Sequence, residues 1–162
     1  MVLLGSGEGR YETSLTDAAR RHPTRLAVRL GFDEGLAHRI EGGADAFLMP
    51  SRYEPCGLNQ MMSMRYGTLP VVRATGGLAD TVMDFDPATG KGTGFAFEPY
   101  TPGAMVACLE RAVAAYRDSS AWRRLQVSAM KQDFSWEASA KKYEEAYAGA
   151  QERLGARQPH KS

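Results

Sequence analysis

The chain has 162 residues, 43% of them hydrophobic and without an apolar run long enough to span a bilayer, which fits one soluble globular domain with its own core. Twenty Lys+Arg against nineteen Asp+Glu leave a formal charge of +1, so no global field draws nucleic acid or an anionic membrane, and any anion must be held by local geometry. Two cysteines, Cys56 and Cys108, lie outside any C-x-x-C pair; they exclude a disulfide framework and a structural zinc site and fit a reducing compartment.

Met1-Val2-Leu3-Leu4-Gly5 has no basic residues ahead of its apolar ones and passes straight into Gly5-Ser6-Gly7-Glu8, so it reads as a strand and exit turn rather than a signal peptide. Tyr11 to Arg21 supplies a polar-faced helix closed by His22-Pro23. Leu26 to Gly31 is a second strand, Phe32-Asp33-Glu34 its exit turn, and Gly35 to Glu41 a short helix stopped by Gly42-Gly43. Ala46-Phe47-Leu48-Met49 is a third, buried strand; Pro50 to Gly57 forms the turn after it, and Leu58 to Tyr66 is helical. Leu69-Pro70-Val71-Val72 makes a fourth strand with Arg73 to Leu78 as its exit turn, Asp84 to Gly92 is a surface loop, and Gly94 to Phe97 is a last strand. The rest is helical: Thr101-Pro102 opens a helix with Met105, Leu109, Val113 and Tyr116 on one apolar face, Ser119 or Ser120 caps the next, and Ser135-Trp136-Glu137 begins another. Residues 1–150 then form the domain and 151–162 a polar tail, frayed from Gly155 onward.

Strands alternating with helices predict an α/β fold, a Rossmann-like parallel sheet with helices on both faces and right-handed crossovers. In such a sheet the strand exits share one edge, where a nucleotide or similar ligand binds. Gly57, Leu58 and Asn59 open a helix whose amides and dipole can hold phosphate oxygens without a lysine; spacing alone equally allows an ordinary turn. Thr75-Gly76-Gly77 offers a second set of amides on the same terms. Glu54 can accept two sugar hydroxyls or be a solvated loop residue. Cys56 fits packing or backbone contact better than nucleophilic catalysis, since no histidine lies near it in sequence. Asp84-Phe85-Asp86 has the form of a metal-binding D-x-D but reads as a turn, His38 as structural or solvent-facing, and Phe32 as core or as a platform for a flat base.

Pro50-Ser51-Arg52-Tyr53-Glu54-Pro55-Cys56-Gly57-Leu58-Asn59-Gln60, continued by Arg65 to Val82, resembles bacterial glycogen synthases and plant starch synthases. The likeness extends back through Leu3 to Glu8 and Ala37 to Ile40 and forward to Gly94-Phe95 and Asp133 to Trp136. It implies the C-terminal, nucleotide-sugar-binding half of a GT-B glycosyltransferase. That enzyme class moves glucose from ADP-glucose to the non-reducing 4-hydroxyl of an α-1,4-glucan with retention, by front-face attack and without a metal or other cofactor. By position, Glu54 is implied to bind glucose hydroxyls and stabilise the oxocarbenium-like transition state, with Cys56 and Gly57 lining the sugar pocket. Leu58 and Asn59 are implied to present amides to the diphosphate, and Phe32 to stack on adenine.

Two positions depart from the wider pattern: Met62 stands where a second glutamate is found, and Asn59 where some relatives have threonine. The resemblance further places one strand carrying an Arg and a Lys, and the glucan-binding domain, ahead of residue 1. On that expectation the first and fourth strands flank a gap unless they pair directly or with another chain, and the 162 residues alone have negligible activity, since losing one cationic donor costs roughly 10²–10³ in rate. A nucleotide-sugar-binding module without turnover, or another GT-B enzyme of sucrose or trehalose-phosphate type, are the alternatives. The implied location is the cytoplasm of a bacterium, or a plastid in a plant.

Overall fold

A computed structural model describes residues 1–155. In chain order they form β1 (Val2–Gly5), α1 (Gly9–Arg21), β2 (Ala27–Leu30), α2 (Glu34–Gly43), β3 (Ala46–Met49), α3 (Asn59–Tyr66), β4 (Leu69–Arg73), α4 (Gly77–Thr81), β5 (Phe95–Phe97), α5 (Pro102–Arg117), α6 (Ser119–Met130) and α7 (Trp136–Gly155). The first eleven elements make one compact unit, Met1–Met130, and α7 belongs to a second unit that begins at Lys131. Residues 151–155 continue α7, and the remainder of the polar tail, 156–162, lies outside the described residues.

Every strand pair is parallel, in keeping with the alternating pattern, but the strands form two sheets, β1-β2 and β3-β4-β5. The chain passes from one sheet to the other through α2. The sequence-based expectation that the fourth strand borders a gap needs correction. β4 is hydrogen-bonded on both sides, and the sheet edges are β1, β2, β3 and β5. The reason is burial: Leu69, Pro70, Val71 and Val72 are all fully enclosed, as an uninterrupted apolar run requires of a central parallel strand.

Side-chain caps set several helix starts. Asp33 Oδ1 accepts from the Leu36 amide at 2.9 Å, so α2 begins at Glu34, and Thr101 Oγ1 accepts from the Ala104 amide at 3.3 Å with Pro102 as the first helical residue. Ser135 Oγ accepts from the Ala138 amide at the start of α7. The cap of α6 is Asp118 rather than either serine: its Oδ1 accepts from the amides of Ser120 and Ala121, both at 3.0 Å. Those bonds, with the Ser120 hydroxyl, hold its carboxyl below the usual carboxylate range.

The core is concentrated on the three-stranded sheet. Leu69, Val71, Val72 and Phe95 pack with Met64 of α3, Leu78 of α4, Cys108 of α5, and Trp122 and Leu125 of α6, and the Phe95 ring stacks on Trp122 at a centroid distance of 6.0 Å. On α5 the buried face is Cys108, Ala112 and Ala115; Val113 and Tyr116, expected in that face, are half exposed. Small residues face the sheet because the helix sits close against it. By contrast, no side chain among residues 1–40 is fully buried.

Glu41, near the end of α2, is an exception among polar residues at 5% exposure, and its Oε2 lacks a hydrogen-bond partner among the described residues. Burial pushes its carboxyl above the ordinary value of 4.5, partly opposed by the nearby charge of His38. A raised pKa means that the folded state holds the proton more tightly than the unfolded chain. The contribution is therefore fully present below the ordinary value and is lost as pH rises through the raised one. Thermal unfolding of wild type and Glu41→Gln between pH 4 and pH 8 is expected to show the difference moving in the variant's favour as pH rises above the ordinary value and levelling off above the raised one. A difference independent of pH would remove the burial explanation.

Candidate functional site

The exits of β3 and β4 meet at one backbone-to-backbone seam. The Gly77 amide donates to the Glu54 carbonyl at 3.1 Å, so the first residue of α4 is tied to the middle of the turn between β3 and α3. Two glycines allow this approach. A Cβ on Gly76 would fall on the Glu54 carbonyl oxygen, and one on Gly77 on the Cys56 carbonyl oxygen, each well inside van der Waals contact. Gly76 is also left-handed at φ +48°, a backbone that side-chain-bearing residues rarely adopt.

Gln60, 0% exposed in the first turn of α3, secures the same seam from within. Its Nε2 donates to the carbonyls of Cys56 (3.3 Å) and Gly57 (3.0 Å) and to Thr81 Oγ1 (3.1 Å), and Thr81 Oγ1 in turn donates to the Gly77 carbonyl. One buried amide thus links the turn, the start of α3 and the end of α4. Its orientation follows from chemistry, because turning the amide over would set an oxygen against two carbonyl oxygens.

Glu54 is half-buried on this frame, with Oε2 accepting from Ser51 Oγ at 3.4 Å. Cys56 is an exposed free thiol, and Gly57, at φ +71°, leads into Leu58 and Asn59, both exposed. Leu58 precedes α3 as its cap residue and makes no side-chain cap bond, so no side chain of the turn occupies the amides opening that helix from that position. Across the seam, the Gly77 amide is engaged by Glu54, which narrows the second amide set to Thr75 and Gly76. Phe32 stands on the exit of β2, in the other sheet, with 91% of its surface exposed.

The structure therefore brings together Glu54, Cys56, Gly57, Leu58, Asn59, Thr75, Gly76 and Gly77, while Phe32 sits at the end of a different strand pair. Gln60, Thr81 and Ser51 were not singled out from sequence; the available signal was a glutamine on the apolar side of α3 and a threonine four residues after a Gly-Gly pair.

The remaining candidates have local duties. Both Asp84 carboxylate oxygens accept from Arg111 Nη2 at 2.8 Å, and Oδ1 also accepts from the Ala96 amide. Asp86 accepts from the Ala88 amide and from Thr89 Oγ1, and the latter bond chiefly holds its carboxyl low. Both carboxylates thus build the loop, as its turn-like sequence suggested. His38 is exposed with Nδ1 3.2 Å from Tyr66 Oη. Cys108 is buried, which pushes its thiol pKa up. Among the described residues no three His, Cys, Asp or Glu side chains are grouped to hold a metal ion, and no helix is long and apolar enough to cross a membrane.

The family profile described as "Glycosyl transferases group 1" matches residues 1–124. The chain belongs to that family. It is 62% identical over 147 residues to the glycogen synthase of Anaeromyxobacter dehalogenans, covering 91% of this chain and 31% of that protein. It is also 59% identical over 150 residues to the glycogen synthase of Nitrosospira multiformis, covering 91% and 30%. Among solved structures, the catalytic domain of starch synthase IV from Arabidopsis thaliana, bound to ADP and acarbose, superposes with a TM-score of 0.79 at 38% identity, over 91% of this chain and 31% of that one. The chain spans about a third of the length of the curated relatives it matches. Its architecture is that of the C-terminal half of a GT-B glycosyltransferase, in agreement with the resemblance read from residues 50–82.

Because the seam has no room for a Cβ, Gly77→Ala is expected to force the two turns apart and lower the midpoint of thermal or urea unfolding markedly. Gly103→Ala, at a helical position with open space around it, is expected to be neutral or stabilising. Equal stability of the two variants would contradict the seam.

Proposed function

We propose that this chain is the nucleotide-sugar-binding part of a retaining glucosyltransferase of glycogen- or starch-synthase type, acting from ADP-glucose on the non-reducing end of an α-1,4-glucan. The observation that carries the reading is the seam itself: it sets a half-buried carboxylate, Glu54, beside the uncapped start of α3, in a chain 62% identical to a glycogen synthase. A sugar diphosphate has this bipolar character, hydroxyl donors at one end and anionic oxygens at the other.

In this reading the diphosphate lies against the amides of Leu58 and Asn59, where the positive end of the α3 dipole favours anions without a metal ion. Thr75 and Gly76 face the same anion from the other side of the seam. Glu54 accepts hydrogen bonds from glucose hydroxyls, and its charge stabilises the positive C1 of the transition state; Cys56 and Gly57 close the pocket. The acceptor 4-hydroxyl attacks C1 on the face from which the diphosphate departs. The C1–O bond breaks with its electron pair going to the diphosphate, and the hydroxyl proton passes to the leaving phosphate oxygen. The exposed Phe32 ring is the platform for adenine. The acceptor and additional cations come from outside this chain, and the cytoplasm of a bacterium is the proposed location.

The test uses a chimera in which this chain replaces the matching third of the Anaeromyxobacter dehalogenans glycogen synthase. Phe32→Ala is expected to weaken ADP binding about 5- to 150-fold, the equivalent of about 1–3 kcal/mol of base stacking. Glu54→Gln is expected to lower kcat by about 10²–10³ with ADP affinity unchanged. Unaltered ADP affinity in the first variant, or unaltered kcat in the second, would contradict the assigned role.

A further inference from the structure

We propose that Arg73 is a positioning residue that sets the height of Glu54 above the sheet by gripping the C-terminal ends of all three strands, β3, β4 and β5. Arg73 is the last residue of β4, paired in register with Phe97 of β5, while Val72 before it pairs with Met49 of β3. Its Nη1 donates to the carbonyls of Arg52 at 2.6 Å and Ser51 at 3.4 Å, two and three residues before Glu54. Its Nε donates to the Glu98 carbonyl at 3.0 Å, just past β5. The guanidinium lies over the Tyr100 ring, 5.3 Å from the centroid, which fixes its plane.

The carbonyls of Ser51 and Arg52, past the end of β3, and of Glu98, past the end of β5, converge on one guanidinium. A planar cation with several diverging donors draws them together, whereas an ammonium on a flexible stem cannot span them in fixed directions. The segment so gripped also carries Ser51, whose hydroxyl bonds Glu54 Oε2. The grip therefore acts on both the backbone and the side-chain partner of Glu54. With Nε and Nη1 turned to these carbonyls, Arg73 acts on the backbone that carries Glu54.

This inference rests on the reading of Glu54 as the glucose-side carboxylate, and the experiment separates the two. In the chimeric synthase, Arg73→Lys is expected to lower kcat about 10- to 100-fold, the usual cost of misplacing a catalytic group by about 1 Å, with KM for ADP-glucose changed less than about twofold. In a Glu54→Gln background the same substitution is expected to cost less than about threefold, because the group it positions is already gone. An equal loss in both backgrounds, or an effect confined to KM, overturns the positioning role. If Glu54→Gln alone leaves kcat intact, the reading of Glu54 fails, and Arg73 is judged without turnover. Exchange of the Gly77 amide, which donates to the Glu54 carbonyl, is then expected to quicken at least tenfold in Arg73→Lys in the 162-residue chain, with Val71 and Val72 unchanged. Unchanged exchange at Gly77 overturns the grip.

Discussion

The hydrogen bond from the Gly77 amide to the Glu54 carbonyl joins the two halves of the site backbone to backbone, and the surrounding sequence is arranged to permit it. Neither Gly76 nor Gly77 can carry a side chain without entering the carbonyls of Glu54 or Cys56. A contact made wholly by backbone has no rotamers to choose between, so the backbone that bears Glu54 and the start of α4 keep a fixed relation. That preorganisation is what an electrostatic catalyst needs, because dipoles already in place need no reorganisation as charge develops. Gln60 reinforces the seam from the buried side, its two Nε2 hydrogens shared among the Cys56 and Gly57 carbonyls and the Thr81 hydroxyl.

Stability is unevenly distributed around this frame. The sheet β3-β4-β5 rests on a dense core of α3, α5 and α6, while β1, α1 and β2 contain no fully buried side chain. The carboxylate and helix-amide parts of the candidate site stand on the dense sheet, and the exposed Phe32 ring on the sparse one. Segments with few buried apolar contacts open at low free energy.

Much of this was legible in the residues. The third strand was read at its observed limits, Ala46–Met49, because four apolar residues between Asp45 and Pro50 leave little freedom, and the caps Thr101 and Ser135 followed from their chemistry. Several features were not legible because they depend on tertiary neighbours. The exit turn after β4 contains the five-residue helix α4, too short for a periodic signal. Of the α5 face read from sequence, Met105 and Leu109 pack against the core, but apolar size also drew in the half-exposed Val113 and Tyr116, whereas close packing selected Cys108, Ala112 and Ala115. Strand order decides which strand is an edge, and order is not encoded in the local pattern of β3 or β4. Gln60 and Arg73 look like ordinary polar residues in sequence; only the carbonyls brought to them by folding show their use. As for the sugar nucleotide, the turn at residues 50–60 indicated a crevice by its place between a strand and a helix, and only resemblance named a ligand.

The central claim is that the turn bearing Glu54 and the start of α4 form one rigid piece with the core sheet. Native-state amide exchange measures this at the bond in question. The Gly77 amide, buried and donated to Glu54, is expected to exchange with about the same opening free energy as Val71 and Val72 of β4. Exchange of Gly77 at a rate typical of exposed loop amides, while Val71 and Val72 stay protected, would contradict it.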